Sequence, residues 1–104
     1  MAKTKLMAML TALLVTASGA VTAQTSYKIG YLPSTVGQAL TQAWRVGIEN
    51  ALKDQKNVTL QSLDAQMKAE IQVTMMDDFI NQGYNAIILQ PIDAAALTAS
   101  VKKA

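Results

Sequence analysis

The 104-residue chain contains no cysteine and no histidine. Without cysteine there is no disulfide, no thiolate metal site and no thiol nucleophile, and no residue could carry a lipid after an export signal. Without histidine the commonest general base and the commonest metal ligand are both missing. Charge is sparse as well, at 15% of residues, with nine Lys and Arg against seven Asp and Glu. Two of the nine are Lys3 and Lys5; with these set aside, seven basic residues face seven acidic ones. No basic stripe remains that could follow a nucleic acid. Phosphate-binding signatures are missing too. The stretch "GYLPSTVG" lacks the glycine spacing of a dinucleotide fold, and no Walker lysine is present. An acidic pair that would mark a phosphoacceptor domain is absent after Tyr31-Leu32-Pro33. No metal and no cofactor are expected.

What is present begins with a leader. A basic start at Lys3 and Lys5 runs into the uncharged stretch "LMAMLTALLV", Leu6 to Val15, and then into small and polar residues ending in "AVTAQ". This is the three-part layout of a secretory signal peptide, 1–23, with Val21 and Ala23 in the small-residue positions before a cut at Ala23–Gln24. The apolar run is shorter than the ~20 residues a spanning helix needs. An exported chain with no cysteine for lipid attachment is expected to be free in a bacterial periplasm.

The remaining residues, 24–104, alternate between two periods. "YKIGYL", Tyr27 to Leu32, reads as a strand. Val36 to Asp54 reads as a helix whose apolar or small positions Leu40, Ala43, Trp44, Gly47, Ile48, Ala51 and Leu52 share one face. Val58 to Leu63 is a second strand, and Met67 to Gln82 a second helix with Val73, Met76, Phe79 and Ile80 inward. Gly83 stands where a helix C-terminal glycine belongs. Asn85 to Gln90 is a third strand and Asp93 to Lys103 a third helix, with Asp93 as N-cap and Lys102 and Lys103 at the negative end of its dipole.

The order βαβαβα implies crossover connections and an α/β fold with a parallel sheet. The third strand carries no charge, as expected of a strand with helices on both faces. In the order 2-1-3 it would nonetheless lie at an edge, where such a strand is a pairing hazard. A further strand is therefore expected beside it, and the chain is expected to be the N-terminal part of something longer, the alternative being an oligomer that covers that edge.

Ligands of open α/β sheets bind beyond the carboxyl ends of the strands, where strand order reverses. Here that means the loops "PSTVGQ", "DAQM" and "QPID". They offer hydroxyls from Ser34 and Thr35, amides from Gln38, Gln66 and Gln90, and carboxylates from Asp64 and Asp93. Neutral amides and carboxylates donate to and accept from hydroxyl groups in fixed directions, which suits a neutral polyhydroxylated ligand. Ser34, Thr35, Gln38, Asp64 and Gln90 are the candidate ligand-binding residues, with no catalytic and no metal-binding residue among them. Asp93 before "AAAL" reads as a helix cap, Pro91 as a strand terminator, Trp44 as core and the pair Asp77-Asp78 as a solvated helix face.

These residues also resemble a known family. "KIGYLPST", a helix ending in "GIENALKD", "LDAQ" and the block "FINQGYNAIILQPIDAAALTASVKKA" look like the N-terminal lobe of periplasmic sugar-binding proteins of ABC transporters, the ribose-binding type of periplasmic binding protein type I. The most specific piece runs from Phe79 to Leu97. The resemblance implies a βαβαβα parallel three-layer sandwich that is the first part of a two-lobe fold. By the same resemblance, the rest of that lobe and the second lobe are expected outside 24–104. It also implies solute capture in an interlobe cleft and delivery to the membrane permease subunits of an ABC transporter, with a sugar or polyol as ligand and no nucleic acid. The family's first loop carries Asn-Pro-Phe-Phe; here the stretch is Gln38-Ala39-Leu40-Thr41, so the amide is kept in kind and both aromatics are gone. That leaves room for a linear polyol, a smaller sugar or a non-sugar solute. Two relatives of this reading are a chemotaxis or quorum receptor for a non-sugar signal and the effector domain of a repressor. The second needs a helix-turn-helix upstream, where this chain has an export signal. A secreted enzyme is disfavoured, because no pair among the remaining Asp, Glu, Lys, Ser and Tyr is placed for catalysis.

Overall fold

A computed structural model describes residues 19–104. Residues 1–18, which hold most of the expected signal peptide, lie outside the described residues. From Tyr27 onward the elements follow the expected order: β1 (Tyr27–Leu32), α1 (Ala39–Leu52), β2 (Val58–Ser62), α2 (Ala69–Asn81), β3 (Ala86–Leu89) and α3 (Ala94–Lys103). Two helices start later than their apolar pattern. Ahead of α1, the Thr35 hydroxyl accepts from the Gly37 amide and keeps 33–38 in a loop. Ahead of α2, Gln66 and Met67 are left-handed, with φ of 53° and 58°, so the helix cannot begin before them.

The three strands form one parallel sheet in the order β2-β1-β3. Tyr27 pairs with Val58, and Leu32 with Leu89. Alternation along β1 fixes the layers. A Cβ at Gly30 would lie 2.7 Å from the Phe79 ring, so this side of β1 faces α2. The next residue, Tyr31, reaches the other way and donates its hydroxyl to the Thr41 carbonyl of α1 at 3.1 Å. Helices therefore flank the sheet on both faces, α1 on one and α2 with α3 on the other. The α2 side holds the core of Leu32, Ala65, Met76, Phe79 and Leu97. Ile87 and Leu89, in register with Gly30 and Leu32, pack against it.

Three expectations change. Trp44 is not core: it is 44% exposed and lines an open apolar groove with Tyr31, Gly47, Ile48 and Ile88. The third strand is not covered on both faces, since Ile88 is 40% exposed. Both follow from the position of α1, which packs toward β2 and leaves the β3 half of its face of the sheet open. Asp77, expected in solvent, accepts from the Ser100 hydroxyl at 2.9 Å and faces Lys103 Nζ at 3.4 Å, tying α2 to α3. Ser100 is buried there, and the carboxylate satisfies its hydroxyl.

The ends of the elements behave as their residues predict. The Asp93 carboxylate accepts from the Ala95 and Ala96 amides at 2.9 and 3.1 Å, capping α3. Gly83, at φ +70°, ends the turn after α2. The Asn85 side chain accepts from the Lys28 amide while its own amide donates to the Lys28 carbonyl, setting the start of the β1–β3 ladder. No helix among the described residues is long and apolar enough to cross a membrane.

Candidate functional site

β1 lies between β2 and β3: the first crossover runs from β1 out to β2 and the second returns from β2 past β1 to β3, and the crevice at this reversal opens beyond the carboxyl ends of β1 and β3. The loop after β1 begins with buried Pro33 and Ser34. The loop after β3 begins with Gln90, whose amide donates the last rung of the ladder to the Leu32 carbonyl at 3.1 Å. The Gln90 side chain turns to the first loop. Its Oε1 accepts from the Ser34 amide at 3.4 Å and from the Ser34 hydroxyl at 3.3 Å. A backbone N–H can only donate, so the oxygen of Gln90 faces Ser34 and its NH₂ remains for other acceptors. Both contacts are long for hydrogen bonds, so a bound group can tighten or replace them at little cost.

The second loop is tied to the first. Asp64 Oδ1 accepts from the Gln66 amide at 2.9 Å and from the Val36 amide at 3.3 Å. The Met67 amide donates to the Ser34 carbonyl at 2.8 Å. A left-handed backbone at two successive non-glycine residues costs each about 1–2 kcal/mol, and the bonds from Asp64 and Ser34 hold them there. The carboxylate of Asp64 thus braces two loops of the crevice.

The five candidate residues are placed unevenly. Ser34 and Gln90 meet directly, and Asp64 joins the first and second loops. Thr35 turns back on Gly37 within its own loop. Gln38 is exposed at the N-cap of α1 with extended backbone; its side chain makes no capping bond, and its carbonyl accepts from the Thr41 hydroxyl at 2.9 Å. Among the described residues no hydrogen bond joins Gln38 to Ser34 or Gln90. Among the described residues no three His, Cys, Asp or Glu side chains converge in a way that could hold a metal ion.

One residue that the sequence reading passed over belongs to this region. Gln72 of α2 is fully buried. Its Nε2 donates to the Gln90 carbonyl and its Oε1 accepts from the Ile92 amide, both at 2.8 Å. The signal was available: Gln72, Met76 and Phe79 recur at helical spacing on one stripe, and a polar residue on an otherwise apolar stripe needs a buried partner.

The profile of the periplasmic binding protein domain family matches residues 29–104. Among solved structures, the chain is similar to LsrB from Clostridium saccharobutylicum in complex with AI-2, at 26% identity and a TM-score of 0.63. That match covers 72% of this chain and 23% of LsrB, so the chain spans about a quarter of the length of the protein it resembles. The chain belongs to the type I periplasmic binding protein family, and its three strands and three helices form part of one lobe of that fold.

Proposed function

We propose that this chain supplies one wall of a cleft that captures a small polyhydroxylated solute, a sugar or polyol, as the binding component of an ABC import system. In this reading it acts in the periplasm, after a cut at Ala23–Gln24, and passes its ligand to membrane permease subunits when two lobes close about a hinge. It is a binder and not an enzyme. The observation that carries the reading is the meeting of Ser34 and Gln90 at the point where strand order reverses, in a member of a binding-protein family. The groups there are a hydroxyl and an amide, and the Asp64 carboxylate that joins the first and second loops already accepts two backbone amides. Such a wall favours a neutral ligand held by directional hydrogen bonds over an ion.

A second reading has its own support. LsrB, the similar structure, holds AI-2. The loop here lacks the aromatic pair that would stack on a sugar ring, so a receptor for a non-sugar small signal fits the same wall. A thermal-shift panel of pentoses, hexoses, linear polyols and AI-2 on the full-length protein separates the two. A ligand at a hundred times its Kd stabilises by about 2.7 kcal/mol. Stabilisation by a sugar or polyol supports the first reading, and a response to AI-2 alone supports the second. A flat panel removes both. Cell fractionation tests export independently: a native protein that stays in the cytoplasm with Met1 to Ala23 attached refutes the periplasmic reading.

A further inference from the structure

We infer that Gln72, which lies behind the crevice, is a positioning residue that sets where the Gln90 amide stands; the inference rests on the reading of Ser34 and Gln90 as part of a solute site.

The chain needs such a device because of Pro91. Proline has no N–H and cannot extend the ladder. Beyond the last rung, the Gln90 carbonyl and the Ile92 amide flank that proline, and no strand among the described residues pairs with them. Buried backbone groups left this way are costly. Gln72 answers both with a single planar amide. Its Nε2 donates to the Gln90 carbonyl and its Oε1 accepts from the Ile92 amide, each at 2.8 Å, as a neighbouring peptide group would. The side chain is wholly removed from solvent, and α2 below it is locked to β1 by Phe79 against Gly30. Gln90 is consequently held at both ends of its backbone, by Leu32 through its amide and by Gln72 through its carbonyl. With the backbone fixed, the side chain presents its oxygen to Ser34 and keeps its NH₂ for other acceptors. Serine and glutamine contacts of 3.3–3.4 Å are too long to fix that orientation unaided. A displacement of about 1 Å in such a group is enough to weaken recognition substantially.

The shorter bonds also predict how substitutions divide. Gln72→Met keeps the length of the side chain and removes donor and acceptor together. Gln72→Glu keeps donor and acceptor while burial holds its carboxyl protonated, and at raised pH, once ionised, it keeps an acceptor for Ile92 and loses the donor to Gln90. Met76→Ala, on the same helix, serves as a control for stability loss alone.

The test has two arms on the full-length protein. Without ligand, nuclear magnetic resonance follows the exchange of the Ile92 amide and the signals of the Ser34 amide and the Gln90 side-chain amide. Expected are at least about ten-fold faster Ile92 exchange in Gln72→Met, retained protection in Gln72→Glu, and displaced Ser34 and Gln90 signals in Gln72→Met and in ionised Gln72→Glu, with the Gln72→Glu signals returning on acidification. Met76→Ala should lower the melting temperature and leave those signals in place. Unmoved Ser34 and Gln90 signals in a folded Gln72→Met protein would overturn the inference. With ligand, AI-2 and D-ribose are titrated as probes. Gln90→Ala and Gln72→Met should each weaken binding at least about ten-fold. Loss in Gln90→Ala with none in Gln72→Met overturns the positioning role alone. If Gln90→Ala binds as wild type, the solute-site reading fails; in that case, and where the wild type binds neither probe, the ligand-free arm decides whether Gln72 places Gln90.

Discussion

Replacing Gly30 with alanine tests the layered arrangement at its tightest point. Gly30 sits in the middle of β1, the central strand, and its missing side chain admits the Phe79 ring of α2. A Cβ there would lie 2.7 Å from Cδ2 and Cε2 of Phe79 and 2.9 Å from Cζ. Real carbon contacts do not approach so closely, so the ring, the strand or the helix must move. The ring has little room. It is 1% exposed and packs on Tyr84 with centroids 4.5 Å apart. Tyr84 is itself pinned, by a hydrogen bond to Gln61 of β2 and by the Lys28 ammonium 4.9 Å above its ring. Overpacking of this kind costs about 1–3 kcal/mol. Alanine recovers about 0.5–1 kcal/mol, because glycine is the more flexible residue in the unfolded chain. The net loss is about 1 kcal/mol at the midpoint of these ranges. For a domain of this size it lowers the melting temperature by about 4–8 °C. Thermal unfolding followed by circular dichroism measures it. The partner change Phe79→Leu removes the far end of the ring, so the double variant should recover part of the loss, with a coupling of about 0.5–3 kcal/mol. A Gly30→Ala protein that melts at or above the wild type would refute the packing of α2 against β1 on which the site geometry depends.

Three further outcomes follow from the same structure. Asp93→Ala removes the two capping bonds of α3 and should cost about 0.5–2 kcal/mol, whereas Asp93→Asn, which keeps an acceptor, should cost little; equal losses in urea unfolding would mean that Asp93 is not acting as a cap. At Met67, an exposed residue with φ of 58°, glycine should be more stable than alanine by about 1 kcal/mol, a ranking that calorimetry of the two variants checks and that a more stable alanine would reverse. Burial raises the Tyr31 phenol above its ordinary value of 10.0, so the folded chain keeps a proton that the unfolded chain gives up. That stability is fully present below pH ~10 and is lost as pH rises through the raised value. Tyr31→Phe should flatten the alkaline fall in melting temperature, and an unchanged alkaline limb would show that another group controls it.

How far the sequence carries depends on what each element has to meet. β1 can be read residue for residue, because its flanking signals, a polar segment before Tyr27 and Pro33 after Leu32, are local. That the sheet is parallel is equally legible, since helices of that length between strands imply crossover connections, whereas the order β2-β1-β3 is set by which side of β1 each crossover takes. Apolar spacing, however, identifies a face and not its cover. Trp44 and Ile88 carry the pattern of core residues and line an open groove, because α1 sits over the β2 side of the sheet. The late start of α2 turns on two left-handed residues, Gln66 and Met67, that no propensity favours there. At the site, the loops and Gln90 can be found from topology alone. Gln72 is harder, since its partners are a carbonyl and an amide of the main chain, which look alike at every position of a sequence. Asp77 is similar: its partner Ser100 is brought near only by the packing of α3 on α2.

The central claim is that a small solute binds where the loops after β1, β2 and β3 converge. Adding AI-2 or a sugar from the panel to isotope-labelled full-length protein, and recording which backbone and side-chain amides shift, tests it most directly. The account predicts the largest shifts at Ser34, at Asp64 to Met67 and at the Gln90 side chain, with little change at Lys28 or Gly83 at the opposite end of the sheet. Saturable binding whose shifts cluster away from the Ser34–Gln90 contact would contradict it.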